Sequence, residues 1–171
     1  MAWLNTNQSY GLVSKALHWV IVLLLLIQIF GGLLYTSGVE WVQQAPHEII
    51  GKIILGLAIA RIFLKLSSNS PKPLESHKKW EVRLSQVVHW ALYAVLFIYP
   101  TSGWMMVSAG EFAETGALPT WVTAQNSDVF WYQFHVNLKW ALLALVCLHV
   151  AGALKHVFID RDTTLKRIWF S

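Results

Sequence analysis

Four long apolar segments alternate with shorter polar ones along the chain. The first covers residues 14–35 and holds no charged residue from position 16 onward. The others cover about 47–66, 84–108 and 131–158. A helix of about twenty apolar residues spans the roughly 30 Å of bilayer hydrocarbon. The pattern therefore predicts an all-α fold, with residues 1–171 as a single membrane domain built as a transmembrane four-helix bundle.

Polar residues interrupt two of these segments and separate others. In the second segment Lys52, Arg61 and Lys65 lie near the ends, where long side chains reach the headgroups. Pro100 is expected to kink the third helix or to end its regular portion. The sequence SSNSPKP at 67–73 is typical of a linker, and residues 108–130 are expected to form a loop.

The composition supports a membrane protein. Charged residues make up 13% of the chain and hydrophobic residues 56%, with a mean hydropathy of +0.48. Soluble domains contain about 25% charged residues. A water-soluble enzyme, a disordered chain and a nucleic-acid-binding protein are thereby excluded. Because Cys147 is the single cysteine, neither an intramolecular disulfide nor a cysteine-ligated cluster is possible.

The charges are divided unequally between the two sides of the predicted bundle. One side, with both termini and the 67–83 loop, has a net charge of +7, and the opposite side has −3, which together give +4. The cations of the first side are Lys15, Arg61, Lys65, Lys72, Lys78, Lys79, Arg83, Lys155, Arg161, Lys166 and Arg167. The positive-inside rule predicts that this side faces the cytoplasm. Topology, and not a nucleic-acid partner, explains the basic pI.

Six of the seven histidines fall within or at the ends of the four segments. An imidazole at such depth is costly unless it is paired or ligated. His135 and His149 are fourteen residues apart, which is about 21 Å and almost four helical turns, so they share one face of the fourth helix. On the outer side His47 is available to pair with His135, whereas on the inner side His18 and His89 compete for His149.

Two imidazoles that face each other across a helical bundle suit an iron macrocycle held from both faces. Zinc is a weaker interpretation, because it requires four ligands and no Cys, Asp or Glu is placed to complete them. For any one histidine, the alternative is a simple hydrogen bond to a carbonyl. The spacing predicts two iron atoms about 21 Å apart.

Four cations lie near the predicted ends of the second and fourth helices. Lys52 and Lys139 follow the outer histidines and are candidate partners of haem propionates there, and Arg61 and Lys65 are the inner candidates. Snorkelling to the headgroups explains all four equally well.

Several segments together resemble the bacterial cytochrome b561 family and, more distantly, the cytochrome b subunits of membrane-bound hydrogenases and formate dehydrogenases. The matching segments are SKALHW at 14–19, HEIIGKIILGLAIARIFLK at 47–65, VVHWALY at 87–93, YPTSGWMM at 99–106, FHVNLKWALLALVCLHVAGALKHVF at 134–158 and DRDTTLKRI at 160–168. The resemblance covers almost the whole chain.

The resemblance implies a multi-pass protein of the bacterial inner membrane that binds two haem b groups. It pairs His18 with His149 on the cytoplasmic-side haem and His47 with His135 on the periplasmic-side haem. It also implies a quinone, ubiquinone or another, near the cytoplasmic haem. The candidate residues for this quinone site are His156, Lys155 and His89. Relatives often have two adjacent histidines where this chain has His156 followed by valine.

The expected function is electron transfer between the quinone pool and a donor or acceptor on the periplasmic side, either a redox protein or a small molecule. Bis-imidazole coordination leaves no open position on iron, which disfavours oxygen binding. If the chain is an enzyme, it is an oxidoreductase using quinone; the alternative is a superoxide:ubiquinone oxidoreductase without a protein partner, as some relatives are. The outer net charge of −3 argues against strong steering of the superoxide anion. A haem-free structural or ion-conducting bundle, the second alternative, would leave the paired imidazoles unexplained.

Overall fold

The described part of the chain folds into four long α-helices. The computed structural model describes residues 2–36, 44–114 and 124–170. Within them lie α1 (Leu12–Thr36), α2 (Gln44–Ser67), α3 (Lys79–Glu114) and α4 (Ala124–Phe158), followed by a short 3₁₀ helix at Leu165–Arg167. The described residues include no β-strand. The predicted all-α fold is confirmed.

All four helices extend beyond their apolar segments, α3 and α4 by the most. α3 begins at Lys79 rather than at 84 and continues to Glu114 rather than to 108, and α4 begins at Ala124 rather than at 131. The loop predicted for 108–130 is therefore wrong at both of its ends, and its central residues 115–123 lie outside the described residues. Helices continue into polar sequence because their ends are satisfied locally: the Glu81 carboxylate accepts the backbone N–H of Lys78 at 3.0 Å. Pro100 does not end α3.

The helices converge on a small apolar layer. It is formed by Ile21 of α1, Ile54 and Ala58 of α2, Leu96 of α3 and Leu142 of α4. α1 packs on α2, α2 on α3, and α3 on α4. Leu142 lies halfway along the sequence between His135 and His149. The layer therefore separates the two depths at which the histidines of α4 lie.

The outer surface of the bundle is apolar. Large side chains such as Phe30 (63% exposed), Val87 (64%) and Trp140 (61%) point away from the protein. Three helical segments are long and apolar enough to cross a membrane: Leu12–Gly32, Lys79–Ser108 and Phe130–Phe158. So much exposed apolar surface matches a lipid environment and not water.

α2 is absent from that group because Glu48, Lys52, Arg61 and Lys65 interrupt its apolar sequence. Its position nevertheless matches the second predicted span, about 47–66. The backbone N–H of Lys72, in the linker after α2, donates to the carbonyl of Asn7 before α1 at 3.0 Å. α2 thus returns the chain to the end of the bundle from which α1 started.

Both ends of the chain lie at this same end of the bundle. Arg167 donates from Nε to the carbonyl of Gln8 at 2.7 Å and from Nη1 to the carbonyl of Lys72 at 2.8 Å. The Lys15 ammonium donates to the carbonyl of Trp169 at 2.7 Å. The predicted clustering of the termini with the linker is found. That this end faces the cytoplasm stays a prediction.

Candidate cofactor sites

His47 of α2 and His135 of α4 face each other at the end of the bundle remote from the termini. Their ring centroids are 6.3 Å apart and the rings are nearly perpendicular, at 87°. We call these two residues the outer pair. α1 also approaches this pair: the Gln28 amide donates from Nε2 to the carbonyl of His47 at 2.7 Å. The sequence prediction that His47 and His135 meet is thus matched by their placement.

The ring of His135 is held by α3. Its Nδ1 lies 3.1 Å from the carbonyl oxygen of Tyr99 and 2.9 Å from Oγ of Ser102. The Tyr99 ring stacks on the imidazole at a centroid distance of 4.3 Å and 15°. Because a carbonyl oxygen can only accept, Nδ1 carries the proton and Nε2 keeps its lone pair. An imidazole oriented in this way through its second nitrogen is characteristic of metal ligands.

Gly103 permits this arrangement. A Cβ atom at this position would lie 3.0 Å from Cε1 and 3.3 Å from Nδ1 of His135, closer than ordinary contact. With any side chain at this position, the His135 ring would have to move by a few tenths of an ångström. The sequence alone did not indicate that Tyr99, Ser102 and Gly103 position the His135 ring. The small and polar residues that follow Pro100 inside an apolar span are the signal that could have indicated them.

Three imidazoles meet at the depth nearer the termini. His18 and His149 have ring centroids 6.3 Å apart at an interplanar angle of 73°. The centroids of His89 and His149 are 5.1 Å apart at 64°. We call these three residues the inner cluster. Both competitors that sequence reasoning named for His149 are thus adjacent to it, but at different separations.

The two separations differ in what they can accommodate. A metal–imidazole bond is about 2.0–2.1 Å long and the ring nitrogen lies about 1.2 Å from the centroid, so two imidazoles on opposite sides of one metal ion have centroids about 6.4 Å apart. The pairs His18–His149 and His47–His135, both at 6.3 Å, meet this requirement. His89 and His149, at 5.1 Å, are too close for it. The donors at both sites therefore fit a metal held by two opposed imidazoles.

The candidate propionate partners have different surroundings at the two depths. Arg61 lies near all three imidazoles of the inner cluster, and its Nη1 donates to the carbonyl of Ser14 at 3.0 Å. Lys65 lies near His89 and donates to Oγ of Ser70 at 2.7 Å.

The outer candidates have local partners. Lys52 forms an ion pair with Glu48 at 2.9 Å with its side chain 52% exposed. The Lys139 ammonium lies 5.3 Å from the centroid of the Trp140 ring. Arg61 and Lys65 thus act electrostatically on imidazoles of the inner cluster.

Two of the three quinone-site candidates contact acidic side chains beyond the inner cluster. Lys155 pairs with Glu81 at 2.9 Å and with Asp160 at 2.6 Å. His156 Nδ1 lies 2.8 Å from Oδ2 of Asp162. His89 alone among the three candidates has a ring contact with His149.

Imidazole pairs at two depths of an all-helical membrane protein are typical of membrane-bound b-type cytochromes. The sequence model of the prokaryotic cytochrome b561 family matches residues 9–171, and the chain belongs to this family. Its relatives include cytochrome b561 homolog 2 of Escherichia coli K12, which is 31% identical, with 98% of this chain and 95% of the relative aligned. The probable superoxide oxidase CybB of Yersinia pestis is 24% identical, with 95% and 96% aligned. Cytochrome b561 homolog 1 of E. coli K12 is 22% identical, with 89% and 92% aligned.

The family membership confirms the resemblance drawn from the sequence. The chain is a multi-pass membrane electron-transfer cytochrome of the bacterial inner membrane. Membership in this family implies b-type haem.

Proposed function

We propose that the chain is a di-haem b-type cytochrome that carries electrons across the membrane. It would connect the quinone pool with a donor or acceptor on the periplasmic side. The proposal rests on one observation: two imidazole pairs, each with one member on α4, have the same 6.3 Å centroid separation at depths about 21 Å apart along that helix. One pair would give a single redox site, whereas a path across the bilayer needs a site near each surface.

Each pair would hold one haem between its two imidazoles. His47 and His135 are assigned to the periplasmic side, and His18 and His149 to the cytoplasmic side. Bound haem supplies a reversible one-electron change between ferric and ferrous iron. With an imidazole on each face, the chain leaves no position for oxygen, which favours electron transfer over oxygenation.

The surroundings of the pairs favour electron transfer without proton leakage between the sites. The buried layer of Ile21, Ile54, Ala58, Leu96 and Leu142 contains no polar side chain and lies between the two depths. The hydrogen bond from His135 Nδ1 to Tyr99 fixes the imidazole and increases its strength as a donor. A rigid ligand shell keeps reorganisation small when the charge changes.

On the inner side, Arg61 and Lys65 are assigned to carboxylates of the cytoplasmic-side haem, because both lie beside imidazoles of the inner cluster. His89 is assigned to the quinone, with ubiquinone or another quinone as substrate. Its contact with His149 would place a hydrogen-bonding group next to the ligand pair, and its side chain is exposed. Lys155 and His156 are less suited to this role because acidic groups already engage them.

Alanine variants of the ligands test this assignment. His135→Ala should retain one haem per chain, His18→Ala should retain the other, and His149→Ala should match His18→Ala. His89→Ala should retain both. The measurement is the haem-to-protein ratio of the purified protein with its reduced-minus-oxidised spectrum. A wild-type chain without haem would refute the function, and a His89→Ala variant that loses a haem while His18→Ala keeps two would refute the pairing.

A second candidate is a superoxide:ubiquinone oxidoreductase. It is favoured by the relative from Yersinia pestis whose name is probable superoxide oxidase CybB. At the outer end of this chain, however, the charge of Lys52 is compensated by Glu48, which weakens any attraction for an anion. Mixing the purified oxidised protein with superoxide distinguishes the two candidates. Rapid reduction without a protein partner supports the second candidate, and slow reduction supports a separate donor.

A further inference from the structure

A second cluster of histidines lies beyond the inner cluster, at the end of the bundle that holds the termini. His77 comes from the linker before α3, His156 from the last turn of α4, and Asp162 from the segment after α4. His77 Nε2 lies 3.1 Å and His156 Nδ1 2.8 Å from the same carboxylate oxygen, Oδ2 of Asp162. The two imidazole rings have centroids 4.5 Å apart. Three segments of the chain thus bring two nitrogens and one oxygen within 4.8 Å of one another. Each nitrogen also has a second oxygen nearby: Oγ1 of Thr164 lies 3.2 Å from His77 Nε2, and Oδ2 of Asp160 lies 3.0 Å from His156 Nδ1.

The carboxylate at the centre of this cluster is held in place. Its other oxygen, Oδ1, accepts the backbone N–H of Thr164 at 2.7 Å. The preceding residue, Arg161, has φ of 52°, in the left-handed region that is strained for a non-glycine residue. Such strain persists where surrounding contacts fix the backbone, which is common at ligand sites. The turn therefore presents Asp162 in one orientation.

The cluster is sheltered and anionic. The side chains of His77, Asp162 and His156 are 13%, 11% and 16% exposed. Burial alone would raise the pKa of Asp162, but hydrogen bonds from Thr164, His77 and His156 outweigh it and hold the pKa of this carboxyl below its ordinary value. Asp162 is therefore ionised at neutral pH. The nearby Lys155 ammonium is neutralised by Glu81 and Asp160.

We propose that His77, His156 and Asp162 form a binding site for Zn²⁺. Two imidazoles and one carboxylate are a donor set found at zinc sites, with water completing a tetrahedral shell. The candidate ligand atoms all lie within 4.8 Å of one another. Tetrahedral bonds of about 2.0–2.1 Å place ligand atoms about 3.3 Å apart, so the observed 2.8 and 3.1 Å require only a small outward movement.

The metal would replace the protons that now link the rings to the carboxylate. On binding, each neutral imidazole offers its lone pair at the nitrogen that faces Asp162, and any proton on that nitrogen moves to the opposite one or to solvent. The carboxylate stays ionised, so no oxidant or reductant is involved. The result is a link between the linker before α3 and the tail after α4, which lie 85 residues apart.

Zinc titration of the untagged protein tests the proposal, with haem retained and other metals removed by a chelator. Calorimetry should show one Zn²⁺ per chain, confirmed by elemental analysis. His77→Gln, His156→Gln and Asp162→Asn should each weaken binding by at least about tenfold. Glu75→Gln is the matched control, because it removes an exposed carboxylate from the same linker, and it should bind as the wild type does.

A spectroscopic measurement on the wild type avoids dependence on the folding of variants. Zinc-edge X-ray absorption should show scattering from two imidazole rings, and the haem spectrum should be unchanged by zinc. A wild type that binds no zinc, one whose bound zinc lacks imidazole neighbours, or an Asp162→Asn variant with wild-type affinity would overturn the proposal. Because haem content is measured separately, failure here is distinct from failure of the electron-transfer function.

Discussion

Replacing Gly103 with alanine tests the outer pair through a residue that is not itself a ligand. The added Cβ would lie 3.0 Å from Cε1 of His135, where ordinary contact begins at about 3.4 Å. The ring cannot easily retreat, because Tyr99 stacks on it and Ser102 lies within hydrogen-bond distance of its Nδ1. The methyl group must therefore displace His135 from its position opposite His47.

The size of the effect follows from the cost of overpacking. Inserting a methyl group into a packed site costs about 1–3 kcal/mol. Helix propensity partly offsets this overpacking cost, because alanine is favoured over glycine by about 1 kcal/mol in a helix interior. At about 1.4 kcal/mol per factor of ten, the affinity of the outer site for haem should fall about 5- to 150-fold. Less the helix-propensity gain, the overpacking cost leaves a loss of about 0–2 kcal/mol in the free energy of unfolding.

The assay is haem titration of the apoprotein, followed by reduced-minus-oxidised spectra that count the sites. Gly56→Ala is the matched control, because it makes the same change at a helical glycine with no atom within 4 Å of the new Cβ. Gly103→Ala should lose the outer haem selectively, and Gly56→Ala should retain both. Wild-type affinity at both sites of Gly103→Ala, or equal losses in the two variants, would refute the reasoning.

Two further predictions concern charges at the end of the bundle that holds the termini. Arg61→Gln should lower the reduction potential of the inner haem, because a nearby positive charge favours the reduced state. Redox titration measures this potential, and Lys52→Gln is the control. An unchanged inner potential would contradict the placement of Arg61. For Asp162, whose pKa is lowered in the folded state, the stabilisation is present above its ordinary pKa of 3.8 and is lost as the pH falls below it. The difference in melting temperature between wild type and Asp162→Asn, measured in chelator, should therefore be full at pH 7 and shrink below about pH 4, whereas a constant difference would contradict the assignment.

The sequence predicts those parts of the fold that follow from local composition. Uncharged stretches such as residues 16–35 fix the positions of the helices, because few other structures satisfy the backbone in lipid. The sequence did not predict the first residues of α4, from Ala124 to Phe130. The length of an apolar segment indicates where the lipid ends and not where the helix ends. The fourteen-residue spacing of His135 and His149 likewise needs only helical geometry.

The remaining features depend on how helices are placed against each other. His18 and His89 are equivalent candidates from their depth, and only the distances of 6.3 and 5.1 Å to His149 distinguish them. The contact between Gly103 and His135 depends on the register between α3 and α4. The contact of His77 with Asp162 joins two irregular segments, for which sequence periodicity provides no signal.

The position of His135 and His149 on one helix has a consequence for biogenesis. α4 is the last of the four helices to leave the ribosome, and it contributes one member to each imidazole pair. A nascent chain that has inserted only α1, α2 and α3 therefore contains His18 and His47 without their partners on α4. On the proposed ligand pairing, haem can bind only after α4 has been made, and a truncation before residue 135 would remove one ligand from each of the two sites.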